Sequence, residues 1–258
     1  MKTIAIIQGR MGSVRLPGKI MMPLCGQIPA LGCMLARVKQ SKQIDQLIVA
    51  TTTNPEDQAV VQYLQGTNQE YFRGSEQDLL DRYYQGAKTF GAKSSDIVVR
   101  LTADCPVIDP DVIDDIVKIY KAGGYDFVSN TLQPYSFPDG MDVEVFSFKN
   151  LERAWREASL PSHREHVTFY FWQHPDLFKI FYHKSDKDLT SYRLTLDYSE
   201  DYQVLQKVYE HFSGFEFSMQ DILQFLDQHP EIRNINAALP QNAGWLESLE
   251  ADKKFLNR

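Results

Sequence analysis

Ile4-Ala5-Ile6-Ile7-Gln8-Gly9-Arg10-Met11-Gly12-Ser13-Val14-Arg15-Leu16-Pro17-Gly18-Lys19 decides how the rest of the chain is read. Its first four residues are apolar and mostly β-branched, the composition of a strand buried on both faces of a parallel sheet. A loop follows, with Gly9, Gly12 and Gly18 and the cations Arg10, Arg15 and Lys19; Lys2 lies just upstream. Glycine lets backbone N–H groups approach a ligand, arginine offers a planar fork to phosphate oxygens, and lysine offers a point charge. An open α/β sheet binds its ligand where such a strand ends. The alternative is a surface loop with solvated cations, which needs neither the glycines nor this density of charge.

The loop is not a P-loop. That motif needs Gly, four residues, then Gly-Lys-Ser/Thr, whereas Ser13 stands five before Gly18 and Ile20 follows Lys19. No G-x-G-x-x-G dinucleotide fingerprint follows the strand either. A triphosphate bound here needs metal ligands from elsewhere in the chain.

A chain of 258 residues can bury a full core, and we expect one domain, 1–258, with an elaboration. A net charge of −7 argues against a nucleic-acid binder but leaves room for a small anionic substrate held by local cations. Cys25, Cys33 and Cys105 are odd in number and without metal-ligand spacing, so reduced cytoplasmic thiols are expected. No apolar run approaches membrane-spanning length, and Met1-Lys2 leads straight into the first strand. The expectation is a soluble cytoplasmic protein without a membrane partner.

The remaining chain alternates strand and helix through residue 130. Strands are expected at Leu47–Thr51, Ile97–Leu101 and Asp126–Ser129, with a shorter one opening Glu70–Tyr84. Helices are expected over Pro29–Val38, after Asn54-Pro55, through Tyr84 and after Asp109-Pro110. This is the pattern of a parallel α/β sheet, the nucleotide-binding half 1–130. From 131 to 198 the pattern changes. Met141–Phe146 alternates strictly and reads as a strand with one wet face. Helices around Leu151–Ala158 and Glu165–Trp172, an aromatic strand Leu177–His183 and a strand Tyr192–Leu196 follow. Residues 199–258 read as C-terminal helices, Glu200–Phe212 and Ser218–Gln228 among them.

Asp104 sits just past the third strand, where a carboxylate faces the same crevice as the first loop. Mg²⁺ beside a triphosphate needs one or two carboxylates, and Asp197 is the second candidate. The plain alternatives are a turn residue for Asp104 and a capping box with Glu200 for Asp197. Asp139, Asp142, Glu144, Arg164, His166 and Arg193 could line an acceptor pocket or form a solvated sheet face. His163 and His166 lack a third ligand for zinc, and neither Ser13 nor Ser162 has the context of a nucleophile elbow. Cationic loop, aspartate and open sheet together suggest nucleotidyl transfer: an acceptor oxygen attacks the α-phosphorus of a triphosphate and pyrophosphate leaves.

Gln8–Lys19 resembles the opening motif of the cytidylyltransferases that activate acidic sugars, the CMP-Kdo synthetase and acylneuraminate cytidylyltransferase group, and above all its spore-coat polysaccharide branch. Further matches are Ala50–Asp57, Phe72–Ser75, Leu79–Tyr83, Leu101–Pro110, Phe137–Phe146, Ser162–Val167 and Arg193–Asp201, so the resemblance covers about residues 1–235. It implies a three-layer, Rossmann-like nucleotide-diphospho-sugar transferase fold with a mixed sheet, CTP as donor, Mg²⁺ as cofactor and a homodimer formed through the second half. The implied nucleotide site comprises Gln8, Gly9, Arg10, Met11, Gly12, Ser13, Arg15, Lys19, Thr51, Arg73, Ser75 and Thr102. Lys19, Arg15 and Asp104 would be catalytic, and Asp104 and Asp197 would hold the metal. The acceptor would be a small anionic molecule, an acidic sugar or a sugar or polyol phosphate. A glycosyltransferase of the same fold is the competing activity, but its Asp-x-Asp motif is replaced by Asp104-Cys105-Pro106. Two positions depart from the family pattern: Gly9 stands where relatives usually have Ala, and Ala103 where they usually have Gly.

Overall fold

The computed structural model describes residues 1–240, 248 and 252–256. Its centre is a seven-stranded mixed sheet. The strands are β1 (Thr3–Gln8), β4 (Gln46–Thr52), β5 (Tyr71–Gly74), β6 (Ile97–Thr102), β7 (Phe127–Ser129), β8 (Glu144–Ser147) and β9 (Ile180–Tyr182), in the order β5-β4-β1-β6-β8-β7-β9. A small hairpin, β2 (Pro23–Cys25) and β3 (Ile28–Pro29), stands apart. β5, β4, β1 and β6 run parallel; β8 is antiparallel to both β6 and β7, and β9 returns parallel to β7.

β1 shows why the sheet has two covered faces. Ala5 and Ile7 join the core packed by α1 (Ala30–Val38), α2 (Gln58–Gly66), α4 (Pro110–Ala122), α8 (Ser199–Phe212) and α9 (Met219–Gln228). Ile4 and Ile6 join the opposite core, packed by α3 (Leu79–Thr89), α5 (Phe148–Glu157) and α7 (Phe169–Trp172). The strand period of two sends alternate side chains to opposite layers, so a strand between two helix layers must be apolar throughout. Burying each of these isoleucines stabilises by about 1.5–3 kcal/mol. The result is the expected three-layer α/β fold.

The expected strands of the first half are present at the expected places. Asn54-Pro55 opens a single 3-10 turn, Pro55–Asp57, before α2 begins. Asp109 caps α4 by accepting from Asp111 N at 2.8 Å.

The second half differs. The Met141–Phe146 stretch is strand only from Glu144, where β8 (Glu144–Ser147) begins, and its polar face is not wet: Glu144 is 3% exposed. Expected helix Glu165–Trp172 is broken at Val167, whose φ of +59° separates α6 (Pro161–His166) from α7. The aromatic strand shortens to β9. Tyr192–Leu196 makes one bridge, Asp139 to Arg193, and no ladder. Its N–H groups go to loop carbonyls, Leu194 N to Asp139 O and Leu196 N to Asp104 O, both at 2.7 Å. Gly140 makes this crossing possible. Its φ is +101°, and a Cβ there would meet Leu194 C and Thr195 N at 2.5 Å.

α8, α9 and α10 (Pro230–Arg233) supply the C-terminal helices; the expected helical content at 241–247, 249–251 and 257–258 lies outside the described residues. Among the described residues no helix is long and apolar enough to cross a membrane.

Candidate active site

The loop after β1 is closed by its own backbone. Met11 O accepts from Ser13 N at 2.8 Å and from Gly18 N at 3.0 Å, and Met11 N donates to Asp57 Oδ1 at 2.6 Å. Gly18 takes a left-handed conformation, φ +73°, which starts the 3-10 turn Lys19–Met21 and turns Lys19 inward. Lys19 is 8% exposed, and its Nζ lies 3.1 Å from Asp104 Oδ2 and 2.7 Å from Asp197 Oδ1. Arg15 Nη2 meets Asp197 Oδ2 at 2.8 Å. Positions 15, 19, 104 and 197 therefore form one ionic cluster at the carboxyl ends of β1 and β6.

The turn after β6 holds the far segment in register. Asp104 O accepts from Leu196 N at 2.7 Å and from Thr195 Oγ1 at 3.2 Å. That brings Asp197 beside Asp104. Burial opposes the charge on Lys19, but Asp104 and Asp197 outweigh it and hold the ammonium above the usual lysine range. Burial also opposes the Asp104 carboxylate, and Lys19 outweighs it in turn, leaving Asp104 below its usual range. Asp197 does not cap α8. Asp201 does, accepting from Asp197 N and Tyr198 N at 2.9 Å each.

Arg193 ties the second half to this cluster. It donates from Nε to Asp201 Oδ1 at 2.8 Å, from Nη2 to Asp201 Oδ2 at 3.0 Å and from Nη1 to Asp139 Oδ2 at 2.7 Å. Asp139 is pushed up to about 6 by burial and by Asp197, Asp104 and Asp201, which together outweigh Arg193. Asp142 is raised well above its ordinary range by burial and by Asp139, Asp104 and Glu144. A cavity of about 590 Å³, lined by Gln133, Pro134, Tyr135 and Thr190, lies on this side.

Other expected residues stand elsewhere. Arg164 grips Asp78 and donates to Trp155 O at 2.8 Å, bracing the start of α3. His166 is stacked on Phe169 with centroids 4.3 Å apart and faces Ser248 Oγ at 2.7 Å. Glu144 is spent on its cross-strand partner Arg100. Arg73 holds the β4–α2 turn, donating from Nε to Thr52 O at 2.9 Å and from Nη2 to Asn54 O at 3.1 Å. Ser75 Oγ accepts from Asp78 N at 3.0 Å, and Ser13 Oγ from Leu16 N at 3.3 Å. Arg10 pairs with Glu76 at 2.8 Å, and Thr102 Oγ1 lies 3.2 Å from Cys105 Sγ. Thr51 Oγ1 is buried without a hydrogen-bond partner among the described residues. Gln8 Oε1 accepts from Arg100 Nε at 3.2 Å, while Gly9 and Gly12 lie in the loop itself.

Sequence reasoning missed Arg100, Asp57 and Asp201. The signal for Arg100 was a cation inside the apolar run Ile97–Leu101. Asp57 holds the backbone of Met11 and Thr52, and Asp201 holds Arg193 and the backbone of Asp197 and Tyr198.

No group of three His, Cys, Asp or Glu suited to a metal occurs among the described residues. Asp104 and Asp197 nevertheless fit Mg²⁺. Both carboxylates accept the same ammonium, so one cation can reach both, and these two would hold a Mg²⁺ whose other ligands would be phosphate oxygens and water.

A Cytidylyltransferase family model matches residues 4–228. The spore coat polysaccharide biosynthesis protein SpsF of Bacillus subtilis is 31% identical over 236 residues, covering 88% of this chain and 94% of that one. A cytidylyltransferase structure from Leptospira borgpetersenii superposes with a TM-score of 0.84 at 38% identity, over 91% of this chain and 98% of the other. A structure of CMP:2-keto-3-deoxy-manno-octonic acid synthetase complexed with CTP shares the fold, with a TM-score of 0.59 at 18% identity over 83% and 99% of the two chains. The family match runs through the loop, β6 and the Asp197 segment, and on that ground the chain belongs to the cytidylyltransferase family.

Proposed function

We propose that the protein transfers CMP from CTP to an oxygen of an acidic sugar, or of a sugar or polyol phosphate, releasing pyrophosphate for the synthesis of a surface polysaccharide or other glycoconjugate. The observation that carries this reading is the Lys19 ammonium shared between Asp104 and Asp197, with Arg15 on the outer oxygen of Asp197. It is a site built for balancing charge. Phosphoryl chemistry of this kind depends on positioning and on neutralising charge as it develops.

In this reading Arg15 and Lys19 hold the phosphates that leave, and the backbone of Gly9–Gly12 cradles the rest. Arg10, Ser13, Arg73, Ser75, Thr51 and Thr102 belong to the nucleotide side. Asp104 and Asp197 hold Mg²⁺, which when bound offsets negative charge at the α-phosphorus. Lys19 leaves its shared position between the aspartates for a phosphate oxygen. The acceptor oxygen forms its bond to the α-phosphorus as the bond to the β-phosphate bridge breaks. Where the acceptor oxygen is a hydroxyl, its proton passes to a carboxylate of the second half, Asp139 or Asp142. Asp139 and Asp142 meet the acceptor through its hydroxyls, since Arg193 is already committed to Asp201 and Asp139. A cytoplasmic homodimer completes the reading.

The test is pyrophosphate release from CTP and Mg²⁺ against a panel of acidic sugars and sugar and polyol phosphates. Release with one acceptor class, dependent on Mg²⁺ and faster with CTP than with UTP, ATP or GTP, is the expected result. Turnover of a nucleotide sugar with none of CTP would overturn it.

A further inference from the structure

The loop after β1 hangs on a carboxylate that lies outside it. Asp57, the last residue of the 3-10 turn Pro55–Asp57, is 1% exposed. Its Oδ1 accepts from Met11 N at 2.6 Å, and its Oδ2 accepts from Thr52 N at 3.2 Å and from Thr52 Oγ1. One side chain therefore ties the loop to the end of β4. An ionised acceptor makes each of these bonds shorter and roughly twice as strong as a neutral one would. The guanidinium of Arg82, itself buried, stands near enough to feel the charge of Asp57 and offsets its burial.

From Met11 the constraint runs on to the ionic cluster. Met11 O accepts from Ser13 N and from Gly18 N, so residue 11 is the fixed point of both turns in the loop. Gly18 then starts the turn that carries Lys19 in between Asp104 and Asp197. Other carboxylates back the same side of the loop. Glu76 holds Arg10 through Oε1 and Asn54 Nδ2 through Oε2, and a Cβ on Gly12 would stand 3.5 Å from Glu56 Oε1. Three acids behind a loop that receives phosphates oppose the ligand's charge. The one among them that is buried and bonded to the loop's backbone acts through geometry.

We infer that Asp57 is a positioning residue for the phosphate loop: it fixes Met11, and through Met11 it places Lys19. The inference rests on the cytidylyl-transfer reading above for what the loop receives. Charge and position make opposite predictions here. A negative charge behind a phosphate site repels the ligand, so removing it from a loop that stays in place tightens CTP binding. Removing it from the residue that places the loop weakens CTP binding instead.

The test compares the wild-type protein with Asp57→Asn, alone and together with Lys19→Met. In Asp57→Asn an amide N–H must face Met11 N or Thr52 N, so one of the two ties is lost. Calorimetry reads the affinity for CTP with Mg²⁺, and hydrogen exchange reads the Ser13 and Gly18 amides without ligand. Asp57→Asn is expected to exchange both amides faster and to bind CTP about tenfold more weakly, the scale of one lost hydrogen bond to a charged group. Two changes that act through one group are not additive. In the Lys19→Met protein, Asp57→Asn is therefore expected to cost much less affinity than it does alone. Unchanged or tighter CTP binding, unchanged exchange, or an equal loss in the Lys19→Met protein would each overturn the inference. Should Asp57→Asn not fold, Thr52→Val decides in its place. It removes the hydroxyl bond to Oδ2 and keeps the charge, weaker CTP binding is expected, and unchanged binding would overturn the inference. A wild-type protein that binds no CTP refutes the reading on which the inference rests, while the amide exchange still decides whether Asp57 places the loop.

Discussion

Gly9 and Ala103 share the space of one methyl group: a Cβ on Gly9 would lie 2.9 Å from the Ala103 Cβ and 3.2 Å from Ile20 Cδ1. Neither backbone can retreat, because Gly9 N donates to Ala50 O at 3.2 Å and Ala103 N to Gln8 O at 2.9 Å. A methyl group at one of the two positions therefore excludes a methyl group at the other. Gly9→Ala is expected to destabilise by about 1–3 kcal/mol through overpacking. Gly9→Ala with Ala103→Gly is expected to recover most of that loss. A denaturant double-mutant cycle measures it; additive losses would show that the two sites do not share space.

Lys19→Met is expected to lower turnover by at least about a hundredfold, the scale of losing one preorganised charge contact. Lys2→Ala, whose Nζ donates to Gln46 Oε1 at 2.6 Å, is expected to leave turnover near wild type. The Lys19 variant removes the cation between Asp104 and Asp197, leaving Arg15 on the outer oxygen of Asp197. Mg²⁺ alone is then expected to raise its unfolding midpoint more than that of the wild type.

Asp104→Asn and Asp197→Asn are each expected to abolish Mg²⁺-dependent pyrophosphate release while the protein still unfolds cooperatively. Chelating the metal from the wild type is expected to give the same loss. Turnover near the wild-type rate in both variants would remove Mg²⁺ from this pair.

Arg37 is expected to be the costliest single truncation outside the site. It is fully buried and donates to Ile108 O and Phe215 O at 2.8 Å and to Phe217 O at 2.9 Å. Its guanidinium lies 4.0 Å from the Phe217 ring centroid. Arg37→Met would strand the carbonyls of Ile108 and Phe217 and leave Phe215 O with Gln40 Nε2 at 3.1 Å, and about 3–5 kcal/mol of stability is expected to be lost on urea unfolding.

His166 sets a pH dependence of stability. Burial pushes its imidazole down to about 4, with Arg100 acting in the same direction and Glu165 against it. The unfolded chain binds this proton from about 6.5 downward and the folded chain only near 4. Its contribution is present above about 6.5 and is lost as pH falls from there towards 4. His166→Gln is expected to flatten the fall in unfolding midpoint across that window, and an unchanged slope would assign it to other groups.

The first half was legible because each buried strand is a local apolar run. Ile4–Ile7, Leu47–Ala50 and Ile97–Leu101 need no knowledge of their neighbours to be recognised. Asp104 was legible as a carboxylate just past a strand. The second half was not, because its polar residues are neutralised by partners distant in sequence. Glu144 reads as solvated until Arg100 is known to oppose it across the β6–β8 pair. Arg193 reads as one edge of a strand, whereas its segment's hydrogen bonds go to Asp139 and Asp104. Arg164 looks available for a ligand until Asp78 is seen against it. Arg82 looks like an ordinary helix cation because burial at one point of a helix turn leaves no local trace.

The position of β8 bears on how such an enzyme can change. β7 precedes β8 in sequence but lies outside it in the sheet, so the chain passes its own edge and later fills the gap. β8 is bonded to β6 on one side and to β7 on the other. No cut between residues 130 and 143 would leave two pieces with closed sheets. Exchanging one half for a foreign half would therefore separate β6 and β7 from the strand that joins them, whereas the connections 130–143 and 183–198, which leave β7 and β9 at the ligand end, can be remodelled with the strands beneath them kept.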